Sequence, residues 1–225
     1  AVRTLEDAAA VLSCYLAGAN EIKAKMLSHA EHIKNVLVRT IAGNHPSRPG
    51  EISDYQYAAC GSFLEHFLSA RGRIYSLNYD ILLYWVLMHR GLTFTDGFGN
   101  DEDDPDAEFV CWNDAHGGDN NVYYLHGALH LFDAGHQLRK YTWIRTNDPL
   151  IDQARRAISQ GAFQLFVSEG TSSNKMAKIR HHGYLQSALK SFSRIQGSLF
   201  IHGLSLSTND EHVLKRIEKG KVEKV

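Results

Sequence analysis

The chain has 225 residues, 44% of them hydrophobic and 22% charged, with a formal net charge of −1. That length can bury one good core, and the near-neutral charge leaves no basic footprint for nucleic acid or an anionic membrane. It holds no run of 18 apolar residues, no signal peptide is expected, and Cys14, Cys60 and Cys111 never form a C-x-x-C pair, a pattern that fits a reduced cytoplasmic compartment and lacks any cysteine zinc module.

Residues 3 to 71 read as helical. Leu5, Ala8, Val11, Leu12, Tyr15 and Leu16 recur at three- and four-residue spacing until Gly18. From Asn20 a longer amphipathic segment carries Ile22, Met26, Ile33, Leu37 and Ile41, and the Pro- and Gly-containing stretch His45 to Gly50 breaks it. Ser53 and Asp54 then cap a third helix through Tyr57, Phe63, Leu64 and Phe67 to Gly72. His29, His32 and His66 on these helices read as scattered surface or half-buried residues.

Residues 73 to 91 have a different character. Ile74 to Leu77 favour a strand, Asn78, Tyr79 and Asp80 interrupt it, and an apolar helix-like run ends at Gly91. The pattern is that of a buried parallel strand breaking into a helix, the junction where ligands bind in open α/β sheets. Asn78 and Asp80 lie between two apolar segments and need partners. They either shape the turn and cap the helix or face a ligand.

Thr93 to Phe98 suits a short strand and turn. Asp101 to Asp106 packs five acids into six residues without the spacing of a calcium loop, and reads as a solvated acidic loop. His116 to Asn121 continues that surface as a candidate lid. Val122 to Leu125 is a second strand, ending in His126-Gly127. His126 and His130 are four apart, but no glutamate or third ligand accompanies them, so no metal is expected. Leu138 to Ile144 predicts a strand, Asp148-Pro149 opens a helix running to Gly161, and Phe163 to Val167 is another strand. The small hydroxyls of Ser168 to Ser172 suit either a ribose or phosphate or a helix cap. Helices are expected around Lys175 to Ile179 and Tyr184 to Phe192, then a strand at Leu199 to Ile201. Asn209 and Asp210 cap a last helix through Val213, Leu214 and Ile217. This alternation predicts an α/β chain in a single domain, residues 1–72 helical and 73–225 α/β.

Strand-Asn78-Tyr79-Asp80-helix, then strand-His126-Gly127, then Ser198 to Asp210 with its Gly203-Leu204-Ser205-Leu206 element, resembles the sirtuin-like superfamily of NAD-consuming domains. Asp96-Gly97-Phe98, Tyr124 to Phe132, Ser168 to Ser172 and Asn209 to His212 are similar to a bacterial family of uncharacterised sirtuin-like proteins within it. The resemblance implies a doubly wound, mostly parallel, Rossmann-like sheet with a helical layer. Such domains open with a strand and a glycine-rich phosphate turn. None lies upstream of Asn78, so either the domain is truncated ahead of Ala1, which is the expectation, or the chain lacks the phosphate loop.

The function so implied is hydrolysis of NAD, as substrate, to nicotinamide and ADP-ribose, with Asn78 orienting ribose and water and His126 as base. Ser76, Tyr79, Asp80, Gly203 and Ser205 would bind the nucleotide. Related domains deplete NAD in bacterial defence against phage under a regulatory partner or through self-association. The rival readings are a non-catalytic sensor of NAD or ADP-ribose, and a protein deacylase, which the missing cysteine pairs disfavour.

Overall fold

A computed structural model describes residues 2–15, 20–101, 103–104, 106–113, 120–142, 148–167, 171–205 and 207–225. The candidate lid at 116–119, the far end of the strand expected to reach Ile144, and Ser168 to Gly170 lie outside them. The chain divides into two compact units, Ala1–Glu51 with Asp148–Gln160, and Ile52–Asn147 with Gly161–Val225.

The first unit is helical. Helix α1 (Val2–Tyr15) lies along α2 (Asn20–Asn44), and α5 (Leu150–Ser159) packs on α2. Ala9 and Ala30 are buried in it. Pro149 occupies the N-cap position of α5, where its missing N–H costs nothing. The Asp148 carboxylate pairs with Arg156 and its carbonyl accepts from Gln153 Nε2 at 2.9 Å, which fixes the start of the helix. Ala154, Ala157 and Ile158 form its buried stripe.

The second unit begins with α3 (Asp54–Leu68), entered through the expected cap. Ser53 Oγ accepts from the Gln56 N–H, and the Gln56 side chain accepts from the Ser53 N–H at 3.0 Å, a reciprocal capping box. Strand β1 (Ile74–Ser76) runs parallel to β4 (Val122–Tyr124), with Ile74 opposite Val122 and Ser76 opposite Tyr124. Between them lie α4 (Leu82–His89), β2 (Phe98–Asn100) and β3 (Phe109–Trp112). Then follow β5 (Gly127–Asp133), β6 (Leu138–Tyr141), β7 (Phe163–Phe166), α6 (Ser172–Arg180), α7 (Gly183–Phe192), β8 (Gln196–Ser198), α8 (Glu211–Glu218) and β9 (Lys221–Lys224).

The doubly wound, mostly parallel sheet expected from the sequence is not what forms. The largest sheet has five strands in the order β2-β3-β6-β5-β7, and every neighbouring pair in it is antiparallel. Parallel pairing is confined to two small sheets, β1-β4 and β8-β9. The reason lies in the connections. Parallel neighbours need a crossover of a dozen or more residues, usually a helix. Only Leu125 and His126 separate β4 from β5, and Ala134 to Gln137 joins β5 to β6 as a hairpin closed by Ala134 N–H to the Gln137 carbonyl at 3.0 Å. The chain therefore leaves the parallel pair abruptly at His126 and enters an antiparallel sheet. A second difference is local. The strand expected at Leu199 to Ile201 lies earlier, at Gln196–Ser198, and Phe200 is 72% exposed.

Strand β4 of the parallel pair is buried and β1 half-buried. Tyr123 and Leu125 cluster with Ala188 and Phe192 of α7 and Val213 of α8, with Tyr75 and Leu77 packed against them. In the antiparallel sheet, Lys140 and Asp96 form a buried ion pair at 2.6 Å, the ammonium also lying over the Phe98 and Tyr84 rings. The acidic loop is not wholly solvated. Asp101 turns inward to accept from Gln137 Nε2 at 2.9 Å and Cys111 Sγ at 3.2 Å. Burial, with the Asp101 carboxylate beside it, pushes the Cys111 thiol up to about 12. Among the described residues, no helix is long and apolar enough to cross a membrane.

Candidate functional site

The carboxyl ends of β1 and β4 bring the first polar residues together. Beyond Ser76, the Ser76 hydroxyl accepts from the Asn78 N–H at 3.2 Å, holding a tight turn. Asn78 is exposed, and its side-chain amide makes no hydrogen bond to a described residue. Asp80 accepts from the Leu82 N–H at 2.9 Å, so its carboxylate serves the first turn of α4 although the N-cap position is Ile81. Tyr79 is a clamp. Its hydroxyl donates to the Val167 carbonyl beyond β7, and its own carbonyl accepts from Leu129 N–H of β5 at 2.7 Å.

His126 follows β4 and is 3% exposed. Its backbone carbonyl accepts from Val167 N–H at 2.8 Å. Gly127 follows with φ +79°, and a Cβ there would stand 1.9 Å from the Leu165 carbonyl oxygen, so only glycine fits where β5 meets β7. The turn that aims His126 is thus built by the glycine after it.

His126 meets a residue absent from the sequence-based list. His212, near the start of α8 and 4% exposed, places Nε2 at 3.0 Å from His126 Nε2, with the rings stacked at a centroid distance of 5.2 Å. His212 Nδ1 lies 3.4 Å from Ser172 Oγ at the start of α6. Lys175, one turn along α6 and buried, pairs with Asp210 at 2.8 Å. Asn209 to His212 was already among the family-like motifs, but its contact with a residue 86 positions away has no local signature.

The tautomers follow from the partners. The Leu77 backbone acts on the His126 ring in the sense that favours its protonated form, which turns a ring N–H toward the Leu77 carbonyl. With Nε2 turned to His212, that N–H is on Nδ1. Neutral His126 then offers only a lone pair at Nε2, and His212 Nε2–H donates to it. His212 Nδ1 is left as an acceptor facing Ser172. Burial first, then the His212 and Lys175 charges, lower the His126 pKa to about 4. Burial also lowers that of His212. Both rings are neutral at pH 7.

His126, Asp210 and His212 bring ligand-type atoms within 4.8 Å of one another. A cation there would have to displace the Lys175 ammonium from Asp210 and break the imidazole pair. The donor set fits a hydrogen-bonded network better than a metal centre.

Over residues 1–225 the sequence matches the family described as "Domain of unknown function (DUF4917)". The chain belongs to that family. No curated protein and no solved structure gives a match. Within this family member, Asn78, Ser76, Tyr79 and Asp80 gather at the end of β1, beside Leu77, whose backbone meets His126. Gly203 (φ +70°) and Ser205 are exposed and make no hydrogen bond to a described residue. They belong to the segment whose His202 ring packs on Phe63 of α3 at 5.7 Å.

Proposed function

We propose that this chain hydrolyses the nicotinamide–ribose bond of NAD, as an NAD-depleting activity suited to a bacterial defence effector. The observation that carries the reading is the placement of an exposed, unengaged Asn78 amide and a buried neutral His126, each just past the carboxyl end of one strand of the parallel pair β1-β4. In open α/β sheets ligands bind beyond the carboxyl ends of parallel strands, and the two-stranded β1-β4 pair presents ends of the same kind.

In the proposed reaction the C1′–N bond breaks, nicotinamide leaves neutral with the bonding pair, and water adds to the oxocarbenium-like C1′. One proton is released. The Asn78 amide donates and accepts without charge, so it can hold a ribose hydroxyl and the water together. A histidine with a pKa of about 4 is a weak base. Weakness is tolerable here, because water bonded to an oxocarbenium carbon is a far stronger acid than imidazolium. The proton enters at His212 Nδ1, the Nε2 proton of His212 passes to His126, and His126 ends as an imidazolium donating to Leu77 and His212.

The occupied lone pair of His126 favours a second reading, a sensor that binds NAD or ADP-ribose without turnover. Incubating the purified protein with NAD and quantifying nicotinamide separates the two. The hydrolase reading expects release that His126→Ala abolishes; binding with intact NAD would establish the sensor.

A further inference from the structure

Helices α6, α7 and α8 contribute to one concavity of about 540 Å³, a size within the range of small-molecule sites. Four cationic side chains line it. Arg180 ends α6, Lys190 lies in the last turn of α7, Arg194 follows α7, and Arg216 lies in the last turn of α8. No aspartate or glutamate lines it, although the chain carries 25 acidic residues against 24 lysines and arginines. The positive charge is therefore segregated here rather than inherited from a basic chain. Among the described residues, none of the four cations has an ion-pair partner.

Basic residues at helix carboxyl ends offset the macrodipole, and that accounts for part of the pattern. Each helix end carries roughly half a negative charge, so three ends supply about −1.5. Four cations leave a surplus of about 2.5 positive charges around one cavity. Arg180, Lys190 and Arg194 are exposed, so water and salt screen much of their mutual repulsion, and an anion in the cavity would relieve the rest.

The remaining lining decides which anion. Trp112, Met176, Ile179 and Leu189 form an apolar wall. Trp112 is pressed against α7 at Gly183, where a Cβ would come within 3.3 Å of the indole. A fixed indole suits stacking on a flat ring, and arginine forks suit bidentate phosphate oxygens. We propose that this cavity binds a small organic phosphate of nucleotide type, its ring on Trp112 and its phosphates on Arg180, Lys190, Arg194 and Arg216. None of its lining residues belongs to the Asn78–His126–His212 group, although the Arg216 charge reaches His212, and the proposal does not rest on the NAD-hydrolase reading.

Isothermal titration of the purified protein with ATP, inorganic triphosphate and a single-stranded RNA tests it. Arg180 and Arg194 are exposed, so the double variant Arg180→Gln/Arg194→Gln keeps its fold, checked by an unchanged melting temperature. Micromolar ATP binding is expected, at least tenfold weaker in that variant, with inorganic triphosphate at least tenfold weaker than ATP on the wild type. A second variant, Trp112→Leu, should weaken ATP while leaving triphosphate unchanged. Absent ATP binding, equal affinity in the Arg variant, equal binding of ATP and triphosphate, or RNA that displaces ATP would each overturn the proposal.

Discussion

Lowering the pH from 7 to 5 should destabilise the chain through its buried imidazole pair. The ordinary histidine pKa is 6.5, and in the folded chain burial and the neighbouring His212 and Lys175 charges bring that of His126 to about 4. A folded pKa below the unfolded one means the unfolded state takes up the proton first as pH falls. The stabilisation is fully present above about 6.5, fades between 6.5 and 4, and below 4 declines no further. Proton linkage for one site with these two values gives a loss of about 2 kcal/mol at pH 5 relative to pH 7. His212 is shifted in the same direction and adds to it. Urea denaturation at both pH values, on the wild type and on His126→Gln, isolates the contribution. The wild type should lose about 2 kcal/mol more than the variant on acidification. Equal losses would refute a neutral, buried His126 and with it the tautomer assignment.

Gly127→Ala should destabilise the fold by about 3 kcal/mol or more, seen in thermal melting, because it combines a positive φ with a Cβ placed on the Leu165 carbonyl. Lys140→Met alone should cost roughly 3–5 kcal/mol by stranding Asp96, and the pair Lys140→Met/Asp96→Leu should recover much of that loss in the same denaturation assay. His212→Ala should cut nicotinamide release and shift its pH profile with little change in KM; a pH profile identical to wild type would remove His212 from the relay. Dialysis against EDTA should leave turnover unchanged, whereas loss restored by a divalent ion would make His126, Asp210 and His212 a metal centre.

Helices were legible because their signals are local. Ser53 and Asp54 announce α3, and the apolar spacing of Tyr184 to Phe192 announces α7. The antiparallel sheet was not, because strand partnership depends on how many residues join two strands. The two residues Leu125 and His126 exclude a crossover, yet both sides of that joint look like ordinary apolar strand. Strand β5 is buried on both faces at Gly127, Ala128, His130, Leu131 and Phe132, so it lacks the alternation that marks an antiparallel strand. Leu199 to Ile201 misled for the opposite reason, since an apolar triplet does not reveal that Phe200 faces solvent. At the site, Asn78 and His126 stood out as polar residues closing apolar runs. Lys175 read only as part of a helix. Its burial against Asp210 depends on α6 and α8 meeting, which no spacing encodes.

The central claim rests on Asn78, and one substitution tests it most directly. Asn78→Ala removes an exposed amide that bonds to no described residue, without adding the negative charge that Asp would bring. The melting temperature should therefore stay within about two degrees of wild type, as for a surface change. Nicotinamide and ADP-ribose should appear in equal amounts with the wild type and at a rate on the order of a hundredfold lower with the variant. Near-normal turnover by a stable Asn78→Ala protein, or NAD left intact by the wild type, would contradict the account.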